Sequence, residues 1–168
     1  HTRLLTVTGV QTCALPIWMP YRMHSEYLRW LYLENRLAEG QLMIDGHPVA
    51  LRDITVPIFL VGTEWDHVAP WRSVYKLHLA AESEITFVLA KGGHNAGIVS
   101  PPAQTDHHYR IGTQAHDAAY IDPETWLATH RPTEGSWWPS WVSWLHHLSP
   151  EQSIPPPLDH AEIDRKST

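Results

Sequence analysis

Asp66 and His94 are the two side chains of this chain best placed to do chemistry together. Each follows an apolar run: Ile58-Phe59-Leu60-Val61 leads to Asp66, and Ile85-Thr86-Phe87-Val88-Leu89 leads to Gly92-Gly93-His94. An imidazole takes up and returns a proton near neutral pH, and a carboxylate behind it fixes its tautomer and stabilises the imidazolium. With a hydroxyl or thiol nucleophile upstream, the pair would complete a triad in the chain order nucleophile, Asp, His. A tight nucleophile elbow needs glycines two residues to either side. Around the single cysteine, Cys13, those places hold Gln11 and Leu15. The plainer reading of the same pair is a turn aspartate and a surface histidine.

The elements that must position this pair are readable from pattern. Pro57 precedes the apolar run 58–61, which suits a strand buried on both faces of a parallel sheet. Pro70 to Ala81 predicts a helix with proline in its first turn and Val74, Leu77 and Leu79 behind it. Ile85 to Ala90 predicts the next strand, so the order is strand, helix, strand, a crossover that makes the strands parallel. Ligands collect beyond the carboxyl ends of such strands, where Asp66 and His94 both fall. Gly92, Gly93 and Gly97 would let the loop around His94 adopt unusual backbone angles. Upstream, Ser25 to Glu39 predicts a helix capped by Ser25 and stopped by Gly40. Met43 and Ile44 on one side of Asp45-Gly46, with Val49 and Leu51 beyond His47-Pro48, predict a short hairpin.

With 168 residues and 43% hydrophobic content, the chain suffices for one core. A net charge of −6 with no basic run argues against nucleic acid as the main partner. No stretch approaches the ~20 apolar residues of a membrane span. Both ends read as foreign. GATCGGAAGAGCACA, a sequencing-adapter sequence, encodes Asp164-Arg165-Lys166-Ser167-Thr168, and its reverse complement encodes Cys13-Ala14-Leu15-Pro16-Ile17. Residues 1–17 and 164–168 are therefore set aside as adapter translation, leaving 18–163 as the native stretch, without a cysteine.

Three blocks occur in order: Asp66-His67-Val68-Ala69-Pro70-Trp71, Gly93-His94-Asn95-Ala96-Gly97-Ile98-Val99 and Gly135-Ser136-Trp137-Trp138-Pro139. Together they resemble the C-terminal part of bacterial polyhydroxyalkanoate synthases, from about Met19 to about Leu148. The resemblance implies an α/β class, the C-terminal half of an α/β-hydrolase fold with a partial parallel sheet and flanking helices, truncated. It implies an acyltransferase that polymerises (R)-3-hydroxyacyl-CoA into a storage polyester and releases CoA, through a catalytic cysteine. By resemblance, His94 would activate that thiol, and Asp66 would support His94 or activate the growing chain's hydroxyl. His67 also matches the first block and is given a structural role. The implied partners are the acyl-CoA, the polyester chain and a second subunit, in a homodimer or hetero-oligomer, with no cofactor. The implied place is the cytoplasm, at the granule surface. The family's Gly-x-Cys-x-Gly elbow is absent here, so the chain alone is expected to be inactive.

Two other readings stay open. A polyester depolymerase or related α/β-hydrolase would use the same Asp and His with water as the acceptor. A non-catalytic granule-binding module would instead rest on Trp137, Trp138, Trp141, Trp144, Leu145 and Leu148, whose spacing predicts a helix with an aromatic face against the sheet. His107, His108 and His116 with Asp106 and Asp117 lack a compact metal-ligand spacing and are read as a solvated loop. Ser100 to Thr133 is read as a mostly irregular excursion anchored by Ile111, Tyr120 and Trp126.

Overall fold

The computed structural model describes residues 20–103 and 106–149. Cys13, the two adapter-like ends and the proline run Pro155-Pro156-Pro157 lie outside the described residues. The described residues open with α1 (Tyr21–Tyr27), which runs on as a π-helical turn through Leu28–Leu33. A hairpin follows, β1 (Leu42–Ile44) and β2 (His47–Val49). Then come β3 (Ile58–Thr63), α2 (Trp71–Tyr75) with a tighter turn at Lys76–Leu79, and β4 (Ile85–Ala90). The last elements among the described residues are β5 (His108–Gln114), α3 (Pro123–Thr129), β6 (Thr133–Glu134) and α4 (Trp138–Leu148).

The strand, helix, strand order forms, but the helix expected over 70–81 is α-helical only over Trp71–Tyr75 and tightens over Lys76–Leu79, which leaves Leu79 exposed. β3 and β4 are parallel in the register Ile58↔Ile85 through Thr63↔Ala90. The sheet as a whole is mixed rather than parallel, because β5 runs antiparallel to β4 and β6 antiparallel to β5, in the order β3-β4-β5-β6. The expected irregular excursion therefore contains a strand and a helix. Within it Trp126 is buried and Ile111 packs on the core, whereas Tyr120 is 42% exposed, with its ring 6.3 Å from that of Tyr75.

Alternation along β4 sends its side chains to two cores. Phe87 and Leu89 pack with Trp71, Tyr75 and Trp126 from α2 and α3. Val88 and Ala90 face the other way, with Tyr109, Trp137 and Trp138 at the start of α4. Helices thus cover both faces, which explains why all six residues of β4 are buried.

The first helix departs from expectation. It starts after Pro20, whose carbonyl accepts from His24 N at 2.9 Å, so Ser25 lies inside the helix rather than at its cap. It ends before Asn35, which holds φ +50°, a left-handed conformation that asparagine tolerates and that ends a helix ahead of Gly40. The hairpin forms as expected, with Asp45 at φ +48° and Gly46 at φ +80°, both positive as a type I′ turn requires. One side of α4 meets the sheet. Trp137 is buried and Trp144 reaches Phe59, while Trp141, Val142, Leu145 and Leu148 stand exposed.

Candidate active site

The paired ends of β3 and β4 bring two loops to one edge of the sheet. Main-chain bonds continue past the strands: Glu64 N donates to Ala90 O and Trp65 N to Gly92 O, each at 3.0 Å. The aspartate loop and the histidine loop are therefore zipped together one residue short of Asp66. Gly92 makes this possible, with φ +127° and no room for a side chain, since a Cβ there would sit 2.7 Å from Gly97 N. Gly97 is held by close approach instead, because its Cβ would lie 2.4 Å from Thr63 Cγ2. Gly93 shows neither feature.

The structure brings Asp66 and His94 together. His94 Nδ1 lies 2.8 Å from Asp66 Oδ2. Asp66 Oδ1 accepts from the amides of Val68 and Ala69, both at 2.8 Å, so the carboxylate is fixed by its own turn before it meets the imidazole. The Asp66 side chain is 8% exposed and that of His94 33%. Burial pushes the Asp66 carboxyl up, but the bonds from Ala69, His94 and Val68 and the imidazole's charge outweigh it and hold the group below its ordinary value. An ionised carboxylate can only accept, so Nδ1 carries the hydrogen and Nε2, on the far edge of the ring, has its lone pair free to act as a base.

A second set of side chains ties this edge across the sheet. Arg110 Nη1 donates to Glu64 Oε1 at 2.7 Å and Arg110 Nε to His130 O at 3.1 Å, while His108 Nε2 lies 3.4 Å from the same Glu64 oxygen. Sequence reasoning missed Glu64 and Arg110. The available signal was charged residues within or just beyond strands whose flanks are apolar. His108 thus belongs to β5 rather than to a solvated loop, and His107 lies 3.3 Å from Ser100 Oγ. Among the described residues, no three His, Cys, Asp or Glu side chains converge to hold a metal ion.

Two substitutions test this packing. Gly97→Ala should destabilise the chain by about 1–3 kcal/mol, because the new methyl overlaps Thr63 and the histidine loop must move. Thr63 Oγ1 is itself buried without a partner among the described residues. Thr63→Val, of the same shape, should raise stability by about 1 kcal/mol, read as a higher urea midpoint at unchanged slope.

No protein-family model matches the chain. Among curated proteins, it is 42% identical over 130 residues to the poly(3-hydroxyalkanoate) polymerase subunit PhaC of Rhizobium meliloti, covering 77% of this chain and 21% of that protein. It is 38% identical over 135 residues to the poly(3-hydroxyalkanoate) polymerase of Methylorubrum extorquens, covering 80% and 22%. This chain belongs to the poly(3-hydroxyalkanoate) polymerase family. A third relative, the polymerase subunit PhaC of Cupriavidus necator, is 37% identical over 128 residues, covering 76% and 21%. The chain spans about one fifth of the length of these polymerases. Its mixed sheet with helices on both faces is compatible with an α/β fold. Among the described residues, no helix is long and apolar enough to cross a membrane.

Proposed function

We propose that His94 is the general base, and Asp66 its support, in an acyl-transfer site that builds poly(3-hydroxyalkanoate) from (R)-3-hydroxyacyl-CoA. The observation that carries this reading is the His94 Nδ1 to Asp66 Oδ2 bond, at the carboxyl edge of two parallel strands, in a chain related to named polymerases. In this reading the frame is the later half of an α/β-hydrolase fold, residues 18–163 are the native stretch, and a cysteine on an earlier elbow is the nucleophile.

The steps then follow. His94 Nε2 takes the thiol proton, and the thiolate attacks the thioester carbonyl to form a tetrahedral oxyanion. The carbon–sulfur bond to CoA breaks, and the departing CoA thiolate takes the proton from Nε2. The 3-hydroxyl of a second acyl unit then gives its proton to Nε2 and attacks the acyl-enzyme. An ester bond forms and the cysteine thiolate leaves, reprotonated by His94. Throughout, Asp66 holds Nδ1–H and stabilises the imidazolium.

A hydrolase would use the same pair with water in place of the hydroxyl, and the nucleophile elbow discriminates between them. The uninterrupted reading frame upstream of Trp18 should contain Gly-x-Cys-x-Gly. Gly-x-Ser-x-Gly there would favour the hydrolase, and a frame running natively through Cys13 with no elbow would sink both. The exposed side of α4, with Trp141, Leu145 and Leu148 in helical register, supports a second role as a contact surface for polyester granules. Binding of the 168-residue chain to amorphous polyester particles that survives Asp66→Ala and His94→Ala would support that role, and no binding by the parent chain would exclude it.

A further inference from the structure

The tryptophan pair of the third block reaches back to the loop that carries His94. Trp137 Nε1–H donates to Gly97 O and Trp138 Nε1–H to Ile98 O, each at 3.0 Å and across 40 residues of sequence. Ser136 Oγ–H donates to Ser100 O, and Ser136 Oγ in turn accepts from Trp138 N at 3.1 Å. Three consecutive side chains thus bind three carbonyls within a span of four residues. The amides of that span point elsewhere: Gly97 N bonds Gly93 O at 3.1 Å, and Ile98 N and Val99 N bond Asn95 O at 3.1 and 2.9 Å. The loop's own turn uses its donors, and the indoles take carbonyls the turn leaves over.

The indoles are themselves held. Trp137 is buried and lies stacked near Phe59 at 6.1 Å, with Trp138 edge-on to it at 6.4 Å. An indole N–H donates in one direction only, so a ring that cannot swing fixes the carbonyl it meets. Gly135 N adds a main-chain bond to His107 O at 2.7 Å, which seats the start of the block on the far side of the same loop.

We infer that Ser136, Trp137 and Trp138 are positioning residues for His94, a clamp on the outer half of its loop. The inner half is held by Trp65 N on Gly92 O and by Asp66 on the imidazole. The inference rests on the reading of His94 as the base. A phenylalanine would fill much of the volume of either ring, so the feature that a core role does not require is the pair of N–H donors. A base displaced by ~1 Å can lose about 10²-fold in rate, which makes such a clamp consequential.

The test uses the isotope-labelled 168-residue chain and reads proton exchange by nuclear magnetic resonance. The Trp137 indole proton should exchange about tenfold more slowly than that of exposed Trp141. Trp137→Phe and Trp138→Phe should each speed exchange of the His94 Nδ1 proton by about tenfold, while the amides of Val88 and Leu89 keep their protection. Trp141→Phe should change neither. Unchanged His94 exchange in both phenylalanine variants would overturn the clamp, and so would parallel loss at His94 and β4, which marks a general core role. If a phenylalanine variant does not fold, Ser136→Ala gives the same readout with a smaller perturbation. Failure of the base reading is separately visible, because Asp66→Asn would then leave the Nδ1 proton unchanged in the parent chain.

Discussion

Asp66→Asn should lower CoA release by about 10³–10⁴-fold in a polymerase that carries residues 20–149 of this chain in place of its own matching stretch. The substitution keeps an oxygen for the amides of Val68 and Ala69, so the turn survives. What changes is the group facing His94. An amide nitrogen donates where the carboxylate accepted, so the imidazole flips its tautomer and Nε2 carries a hydrogen where the reaction needs a lone pair. Thioester turnover by the graft, with the wild-type residue as reference, measures the effect. A loss below tenfold would remove His94 from the role of supported base. The same variant has a signature in stability. Because the folded Asp66 carboxyl titrates below its unfolded value, its contribution is complete above about pH 3.9 and is lost as pH falls through the lower, folded value. Stability in that acid window should therefore fall less steeply for Asp66→Asn.

Phe87→Ala should cost about 3–5 kcal/mol, a large part of the roughly 5–15 kcal/mol that holds a domain together. Phe87 is wholly buried in the middle of β4. Its ring meets Trp126 at 4.9 Å, Tyr75 at 5.1 Å and Trp71 at 6.4 Å, so the same side chain joins α2 and α3 to the sheet. These rings are too large and too interlocked to collapse into the space it leaves. Urea unfolding followed by tryptophan fluorescence should show the midpoint fall, and Phe87→Leu should recover most of it. A cost under 1 kcal/mol would mean that the two helices dock independently of this residue.

The parts of the fold that were legible in the sequence share one cause, continuous apolar runs fenced by proline and glycine. β4 matches its expected bounds and β3 extends two residues further, because a strand covered on both faces needs no alternation and so writes a plain signature. The order of Asp66 and His94 could be read for the same reason. β5 could not, because Gly112 and the polar His108 and Arg110 break its pattern. The glycine is demanded by the helix above it, since a Cβ there would lie 2.4 Å from His130 Nε2. Arg110 and His108 are demanded by Glu64, a partner just past the end of β3. Neither demand is visible locally. α3 did carry a local signal that went unused: Asp122 caps it through Thr125 N at 3.0 Å, with Pro123 in the first turn. The contacts of Trp137 and Trp138 were illegible for a different reason, because helical spacing reports which face is apolar and says nothing of where an indole N–H points.

β3 is paired on one side only among the described residues, and β6 at the opposite border has two residues. The sheet thus has a sticky end and a finished end. Among the described residues, the outer backbone donors and acceptors along Ile58–Thr63 have no strand partner, which makes this border a template for another strand. In a longer polypeptide, sheet growth is directed to that border. In a solution of this chain alone, two copies can zip together along it, so light scattering should climb with protein concentration and resist added salt, as backbone pairing does and charge pairing does not.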